Sequence, residues 1–302
     1  LGAAGYRSLQ TGKWWEGNYA RGGFTEGMTH GDTARGGRHG DVGLTIGRDT
    51  LAPAFEFMDA CQEQGTPFFL WYAPFLPHRP HNPPERLLEK YRVEGVTDSV
   101  ARYRAMCEWF DETCGQLLSH LDEKNLSDDT LVLYVTDNGW IQRADNGRYA
   151  PRSKRSPYDG GLRTPIMIRW PGKVPPGERP ELANSIDLAP TILKACGLEP
   201  TAAMQGIDLL DDTALAKRKS THGACYLHNA VDIHKPSANL THRWLINGNW
   251  KLILPHKPNT NATEPELYNL TKDTHETQNL AKTNPHQTKR LAKQLNKLLP
   301  GS

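Results

Sequence analysis

Residues 131–139, Leu-Val-Leu-Tyr-Val-Thr-Asp-Asn-Gly, form an apolar and β-branched run that stops on a carboxylate, a carboxamide and a glycine. Such a run predicts a strand buried in a parallel sheet. Shorter runs predict strands over 6–11, 67–72 and 165–170. Helical spacing appears between them. One helix runs from a cap at Asp49 or Thr50 to about Gln64, with Phe55, Met58 and Cys61 or Ala54 on one face. A longer one starts at Thr97 or Asp98 and carries Val100, Tyr103, Cys107, Phe110, Cys114, Leu117 and Leu121. A third covers 185–195 ahead of Gly197, and residues 1–4 read as a last helical turn closed by Gly5. Strands alternating with helices up to about Leu210 imply an α/β fold, a mostly parallel sheet flanked by helices.

The pattern then changes. Residues 244–254 predict a hairpin turning at Asn247-Gly248, and Thr283 or Asn284 with Pro285 opens a terminal helix striped by Leu291, Leu295 and Leu298 or Leu299. The expected organisation is therefore a main domain over 1–210 and a small C-terminal α+β subdomain over 211–302, an antiparallel sheet with a helix. The 302 residues suffice for a substantial core, and 27 glycines with 22 prolines argue against a helical bundle. A net charge of +2 provides no global field for nucleic acid. No apolar run is long enough to cross a bilayer as a helix. The five cysteines form no Cys-x-x-Cys pair and no dense framework, so neither a zinc knot nor a disulfide scaffold is indicated. Cys107 and Cys114 read as core. The Asn-x-Ser/Thr triplets at Asn125, Asn239, Asn261 and Asn269 read as chance. The chain opens without an initiating Met or signal peptide and begins inside an element, which points to a fragment.

Candidate chemistry gathers at predicted strand ends, where open α/β sheets bind their ligands. Asp137 and Asn138 are adjacent hard oxygen donors suited to Ca²⁺, with Mg²⁺ as the alternative; Asp-Asn-Gly is also good turn chemistry. The proline-rich loop after the 67–72 strand holds His78 beyond that strand's end. Residues 17–48, glycine-rich with Arg21, His30, Arg35, Arg38, His39 and Arg48, read as a functional loop or lid. The basic run of Arg143, Arg148, Arg152, Lys154 and Arg155 reads, by itself, as a solvated loop. A zinc site from His78 and His81 is disfavoured by the proline between them and the lack of a nearby thiolate.

Several ordered motifs resemble the type I sulfatases of the alkaline phosphatase superfamily. They are Ala-Gly-Tyr-x-x-x-x-x-Gly-Lys-Trp (4–14), Pro-Phe-Phe-Leu (67–70), Pro-His-x-Pro (77–80) and Thr-Asp-Asn-Gly (136–139). Lys154-x-x-x-Tyr158-Asp-Gly-Gly-x-Arg163, Arg-Trp-Pro-Gly (169–172) and Asp-Leu-Ala-Pro-Thr (187–191) follow, and the Glu-Leu-Tyr-Asn-Leu and Glu-Thr-Gln-Asn-Leu runs at 266 and 276 resemble the family's C-terminal signature. The resemblance covers nearly the whole chain and implies an alkaline-phosphatase-like fold. It implies hydrolysis of sulfate monoesters with Asp137 and Asn138 as calcium ligands, and Lys13, His78 and Lys154 as catalytic and sulfate-contacting residues. His78 would be the proton donor, and Arg163 closes the substrate-binding motif. The implied partner is a sulfated small molecule or carbohydrate, and the implied location periplasmic or secreted. Oligomeric state is not legible.

Two departures matter. Where the family has a histidine two residues after the motif lysine, this chain has Trp15, and indole cannot pass a proton as imidazole can; His30, His39 or His81 substitutes, or the proton path differs. The family's formylglycine nucleophile arises in Cys/Ser-x-Pro/Ala-x-Arg, and no cysteine or serine here sits in that pattern. The family's Asp-Asp calcium ligands are missing too. Formylglycine is therefore expected in a segment preceding these residues. A phosphodiesterase or phosphonate hydrolase of the same superfamily, or a catalytically dead anion-binding fragment, are the alternatives. Without a nucleophile the covalent step that divides the reaction is closed, so purified residues 1–302 are expected to release no phenol from an aryl sulfate above background. Turnover abolished by Lys154→Ala would contradict this.

Overall fold

The computed structural model describes residues 1–32, 34 and 42–299 of the chain. It separates into two compact units, Leu1–Thr130 with Gln142–Arg148, and Leu131–Ile141 with Tyr149–Ser302. The boundary expected at residue 210 falls inside the second. The fold is mixed α/β, with a three-stranded parallel sheet, a two-stranded antiparallel pair and a four-stranded antiparallel sheet among the described residues.

In the first unit β1 (Arg7–Gly12), β2 (Glu26–Gly27) and β3 (Phe68–Ala73) form a parallel sheet in the order β2-β1-β3. β1 is buried from Ser8 to Gly12 despite its polar residues. Gln10 accounts for much of that tolerance, since it donates Nε2 to Gly12 O (3.1 Å) and to Thr29 Oγ1 (3.2 Å), while its Oε1 accepts from Thr29 N (3.1 Å). Helix α1 (Ala52–Glu63) covers β1 and β3 with Ala54, Phe57, Met58 and Cys61 buried, and Thr50 Oγ1 accepts from Ala52 N at its start (3.0 Å).

Two further helices follow, the short α2 (Glu85–Leu88) and the 26-residue α3 (Asp98–Glu123). The buried face of α3 is Ala101, Ala105, Met106, Thr113 and Leu121; of the expected stripe only Leu121 is buried. Leu87 and Leu88 pack on Ala101 and Ala105, where small side chains admit the neighbouring helix. The large side chains of the stripe are half-buried and also make contacts, Phe110 on the Tyr72 ring and Tyr103 on His81.

The second unit begins with β4 (Val132–Val135), then the short α4 (Asp159–Leu162) and β5 (Ile166–Arg169). β4 was expected to be parallel and buried. It pairs antiparallel with β5, Val132 opposite Arg169 and Val135 opposite Ile166, and it is half-buried with Val135 exposed. An apolar run marks a strand, but the path of the intervening chain sets its neighbour's direction. Helices α5 (Leu188–Ala195) and α6 (Asp212–Lys217) lead to an antiparallel sheet of β6 (Ser220–Tyr226), β7 (Leu240–Asn247), β8 (Trp250–Pro255) and β9 (Glu266–Asn269), in sequence order. Asn247 pairs with Trp250, so the hairpin loop is Gly248-Asn249, one residue beyond the expected turn. Helix α7 (Pro285–Leu298) seats Leu291 and Leu295 against Leu245, Leu252 and Leu267; Leu299 packs there and Leu298 is exposed.

The Asp-Leu-Ala-Pro-Thr motif has a structural role. Asp187 is fully buried and accepts from Asn184 N (2.7 Å), Ile207 N (2.9 Å) and both terminal nitrogens of Arg218. Thr191 Oγ1 donates to Asp187 O (2.7 Å) and accepts from Leu209 N (2.8 Å). Removing one member of a buried ion pair strands the other, at a cost of about 3–5 kcal/mol. Asp187→Ala should lower the unfolding free energy by that amount, read as a lower urea midpoint at unchanged m-value; a loss under about 1 kcal/mol would deny the motif this role.

Candidate active site

In the first unit the end of β1 delivers Lys13. Gly12 lies at φ 75°, and a Cβ built on it would stand 1.8 Å from Ala73 O, so only glycine fits. The tight approach lets Lys13 N donate to Ala73 O (2.8 Å), extending the β1–β3 pairing by one residue. Lys13 Nζ stands 4.7 Å from the centre of the Phe75 ring, and the His78 ring stacks on the same aromatic at 4.5 Å. Phe75 therefore brings together two predicted site residues that are 65 positions apart.

Arg48, which closes the segment read from sequence as a functional loop or lid, holds this arrangement. Its guanidinium donates to Phe75 O (3.0 and 3.1 Å), His78 O (3.0 Å), Pro80 O (3.2 Å) and Asn82 Oδ1 (2.7 Å). Burial pulls its pKa down from the usual arginine value. His78 Nδ1 donates to Arg79 O (2.8 Å), so Nδ1 carries the hydrogen and Nε2 is the nitrogen suited to proton exchange.

Of the three histidines considered as substitutes at the Trp15 position, His39 lies outside the described residues, as do Arg35 and Arg38. His30 is exposed, 5.7 Å from the Tyr19 ring. His81 sits 5.5 Å from the Tyr103 ring, and burial, then the charges of Arg79, His78 and Arg48, depress its pKa to about 4. Trp15 itself is exposed.

The second unit gathers the other predicted residues at the end of β4. Gly139 N donates to Gly161 O (2.9 Å), and a Cβ on Gly139 would stand 2.1 Å from Gly160 O. Thr164 Oγ1 donates to Thr136 O (3.0 Å), and Ile141 N donates to the buried Ser153 Oγ (2.7 Å). The Asp137-Asn138-Gly139 turn and the 153–164 segment are thus zipped together by one backbone pair and two hydroxyl-to-backbone bonds. Lys154 is half-buried with Nζ 5.8 Å from the Trp140 ring centre. Arg163 is exposed and pairs with Asp159 at 3.5 Å, turned toward solvent rather than into this cluster.

The donor set at the turn suits a hard cation in part. Asp137 is exposed, and Asn138 donates its amide nitrogen to Gly139 O (3.0 Å), leaving its side-chain carbonyl oxygen as the ligand it can offer. Calcium takes about 6–8 oxygens, and among the described residues no three His, Cys, Asp or Glu side chains converge as a metal site. Asp137 and Asn138 could supply two positions of a shell, not a cage. A cleft of about 630 Å³ lined by Phe55, Arg86, Glu112 and His120 contains none of the predicted site residues.

Sequence reading named Arg48 in a loop, Arg152 in a basic run and Tyr158 and Glu276 within motifs, but gave none of them, nor Phe75, a role in holding the site residues. Arg152 stacks over the Tyr158 ring at 3.8 Å, and Tyr158 donates its hydroxyl to Glu266 (2.9 Å). Burial, then the Glu266 carboxylate, pushes the Tyr158 pKa up to about 12. Nothing short-range signals these partners, which lie 108 to 124 residues apart.

The comparisons with known proteins agree with one another. Residues 1–198 match the family described as Sulfatase, and residues 147–301 match N-sulphoglucosamine sulphohydrolase, C-terminal. Human arylsulfatase A is 31% identical over 164 residues, 53% of this chain and 31% of its own length. The chain thus spans about a third of that relative. The crystal structure of i-CgsB in complex with neocarrahexaose superposes with a TM-score of 0.76 at 19% identity, covering 98% of this chain and 72% of the other. The structure of BT4656 in complex with its substrate D-glucosamine-2-N,6-O-disulfate superposes at 0.69 and 19%, covering 99% and 79%.

The His81 environment carries a pH consequence. With a folded pKa near 4 and an unfolded value near 6.5, the unfolded chain takes up a proton first as pH falls. The stability contributed by the neutral ring is present above about pH 6.5 and is lost as pH falls toward 4. Melts at pH 7, 5.5 and 4.5 should fall in that window, and His81→Gln should flatten the slope. An identical slope in the variant would remove His81 from the account.

Proposed function

The chain belongs to the sulfatase family, and on that premise we propose that it forms part of an enzyme that hydrolyses sulfate monoesters, carbohydrate sulfates foremost. The observation that carries this reading is the zipped turn at Gly139 and Gly161, because it places a cation, Lys154, on the same loop cluster as two hard oxygen donors. Sulfate esters are anionic, and further charge develops on the bridging oxygen as the S–O bond breaks; fixed cations at that point lower the barrier. Lys13 and Lys154 are each read, through the family resemblance, as a sulfate-contacting cation. His78, with Nδ1 committed to Arg79 O, would deliver a proton from Nε2 to the departing oxygen. Arg163 would act at the substrate's rim, consistent with its exposure.

Asp137 and the Asn138 carbonyl would hold Ca²⁺, or Mg²⁺ in its place, which when bound would draw charge from the sulfate oxygens. A formylglycine contributed from outside these residues would be the nucleophile. Carbohydrate sulfate as substrate draws on the glucosamine disulfate named for BT4656, and the assignment is one of analogy. The same cation arrangement suits phosphoryl esters, so a phosphodiester serves as the control substrate.

In the whole protein, Asp137→Ala should lower calcium affinity and kcat/KM together, with excess calcium restoring part of the activity. Lys154→Ala should leave calcium affinity unchanged while losing about 2–4 kcal/mol of transition-state stabilisation, about 30- to 1,000-fold in kcat/KM. Calorimetry with CaCl₂ and rates on an aryl sulfate and an aryl phosphodiester decide the matter. Normal calcium binding and activity in Asp137→Ala would end the metal assignment, and a preference for the phosphodiester would move the substrate class.

A further inference from the structure

The antiparallel sheet of the second unit carries a fully buried ion pair, Lys251 Nζ to Glu276 Oε1 at 2.5 Å, with both side chains at most 1% exposed. The contact is off the line of an aligned hydrogen bond. Buried pairs of this kind are weak stabilisers beside an apolar pair of the same volume, so their worth lies in what else the charged groups hold. Glu276 holds two things. Its Oε2 accepts from Asp159 N (2.7 Å), and its main-chain oxygen accepts from Arg152 Nη2. Its backbone sits at φ 56°, a left-handed conformation unfavourable to a residue with a side chain, which aims carboxylate and carbonyl at the same segment.

Asp159 and Arg152 bracket Lys154. From Asp159 the chain runs directly through α4 to Gly161, whose oxygen receives Gly139 N beside Asp137 and Asn138. Arg152 is held further by the Tyr158 ring at 3.8 Å and the Tyr268 ring at 5.8 Å. Glu266 fixes the two tyrosines in turn, accepting from both hydroxyls. One residue therefore anchors the Lys154 segment at both ends, its carboxylate at Asp159 and its main-chain oxygen at Arg152. We propose that Glu276, charge-balanced by Lys251, is a positioning residue that sets the location of Lys154 for sulfate binding. This rests on the reading of Lys154 as a sulfate contact.

The test uses the whole protein and removes the charge from both partners, so that neither is stranded. Lys251→Met with Glu276→Gln keeps an acceptor for Asp159 N; Lys251→Met with Glu276→Leu has the same charge and similar volume without it. Both are expected to melt cooperatively within a few degrees of one another. The Gln form should keep kcat/KM on an aryl sulfate near the parent value, and the Leu form should lose on the order of 10- to 100-fold, the range for a displaced catalytic contact. Because the effect acts through Lys154, the Leu loss should largely vanish in a Lys154→Ala background. Arg152→Met, which releases the other anchor at an exposed residue, should show a smaller loss with the same dependence on Lys154. It also supplies the test if the Leu form does not fold.

Equal activity of the Gln and Leu forms, or a Leu loss undiminished in the Lys154→Ala background, overturns the positioning role. Should only Arg152→Met fold well, an unaltered rate in it does the same. Wild-type kcat/KM in Lys154→Ala itself would instead sink the site reading, and the proposal with it. The two failures are thereby told apart.

Discussion

At the end of β1 and at the end of β4 there is room for a hydrogen atom and nothing more. A Cβ on Gly12 would stand 1.8 Å from Ala73 O, and one on Gly139 would stand 2.1 Å from Gly160 O. Backbone meets backbone at both places, and hydrogen bonds carry the contact onward, Lys13 N to Ala73 O and Gly139 N to Gly161 O. Each unit's candidate chemistry starts at the next residue or the one before. Any side chain at either glycine would push apart the strands and loops that place Lys13, Asp137, Asn138 and Lys154. The rest of the arrangement is built outward from that absence of bulk.

Around those close approaches, three arginines act as fasteners. Arg48 uses its guanidinium on the carbonyls of the Phe75–Pro80 loop. Arg218 closes on buried Asp187, and Arg152 on the main-chain oxygen of Glu276. An arginine suits this work because its planar fork meets several oxygens at once. The antiparallel sheet with α7 is then more than an appendage. Its Glu266 and Glu276 face the segment that carries Lys154, so packing of Leu291 and Leu295 into that sheet supports the loop indirectly.

Aromatic rings do the corresponding work in the first unit. Phe75 presents one ring to both Lys13 and His78, and Arg48 stands 5.8 Å from its centre. An aromatic face attracts cations without neutralising them.

The sequence by itself determined where most elements begin and end, because caps, apolar periods and glycine stops act within a few residues. It determined the family through ordered motifs, and it marked Lys13, His78, Asp137, Asn138 and Lys154 through strand-end chemistry and resemblance. It could not determine that β4 runs antiparallel to β5, or that the most deeply buried face of α3 is set by Ala101 and Ala105. Nor could it reveal that Glu276 anchors a segment 117 residues earlier. Those features depend on which surfaces meet after the chain has folded back on itself. A short window of sequence records the propensity of its own backbone and nothing of the partner that will satisfy its charges.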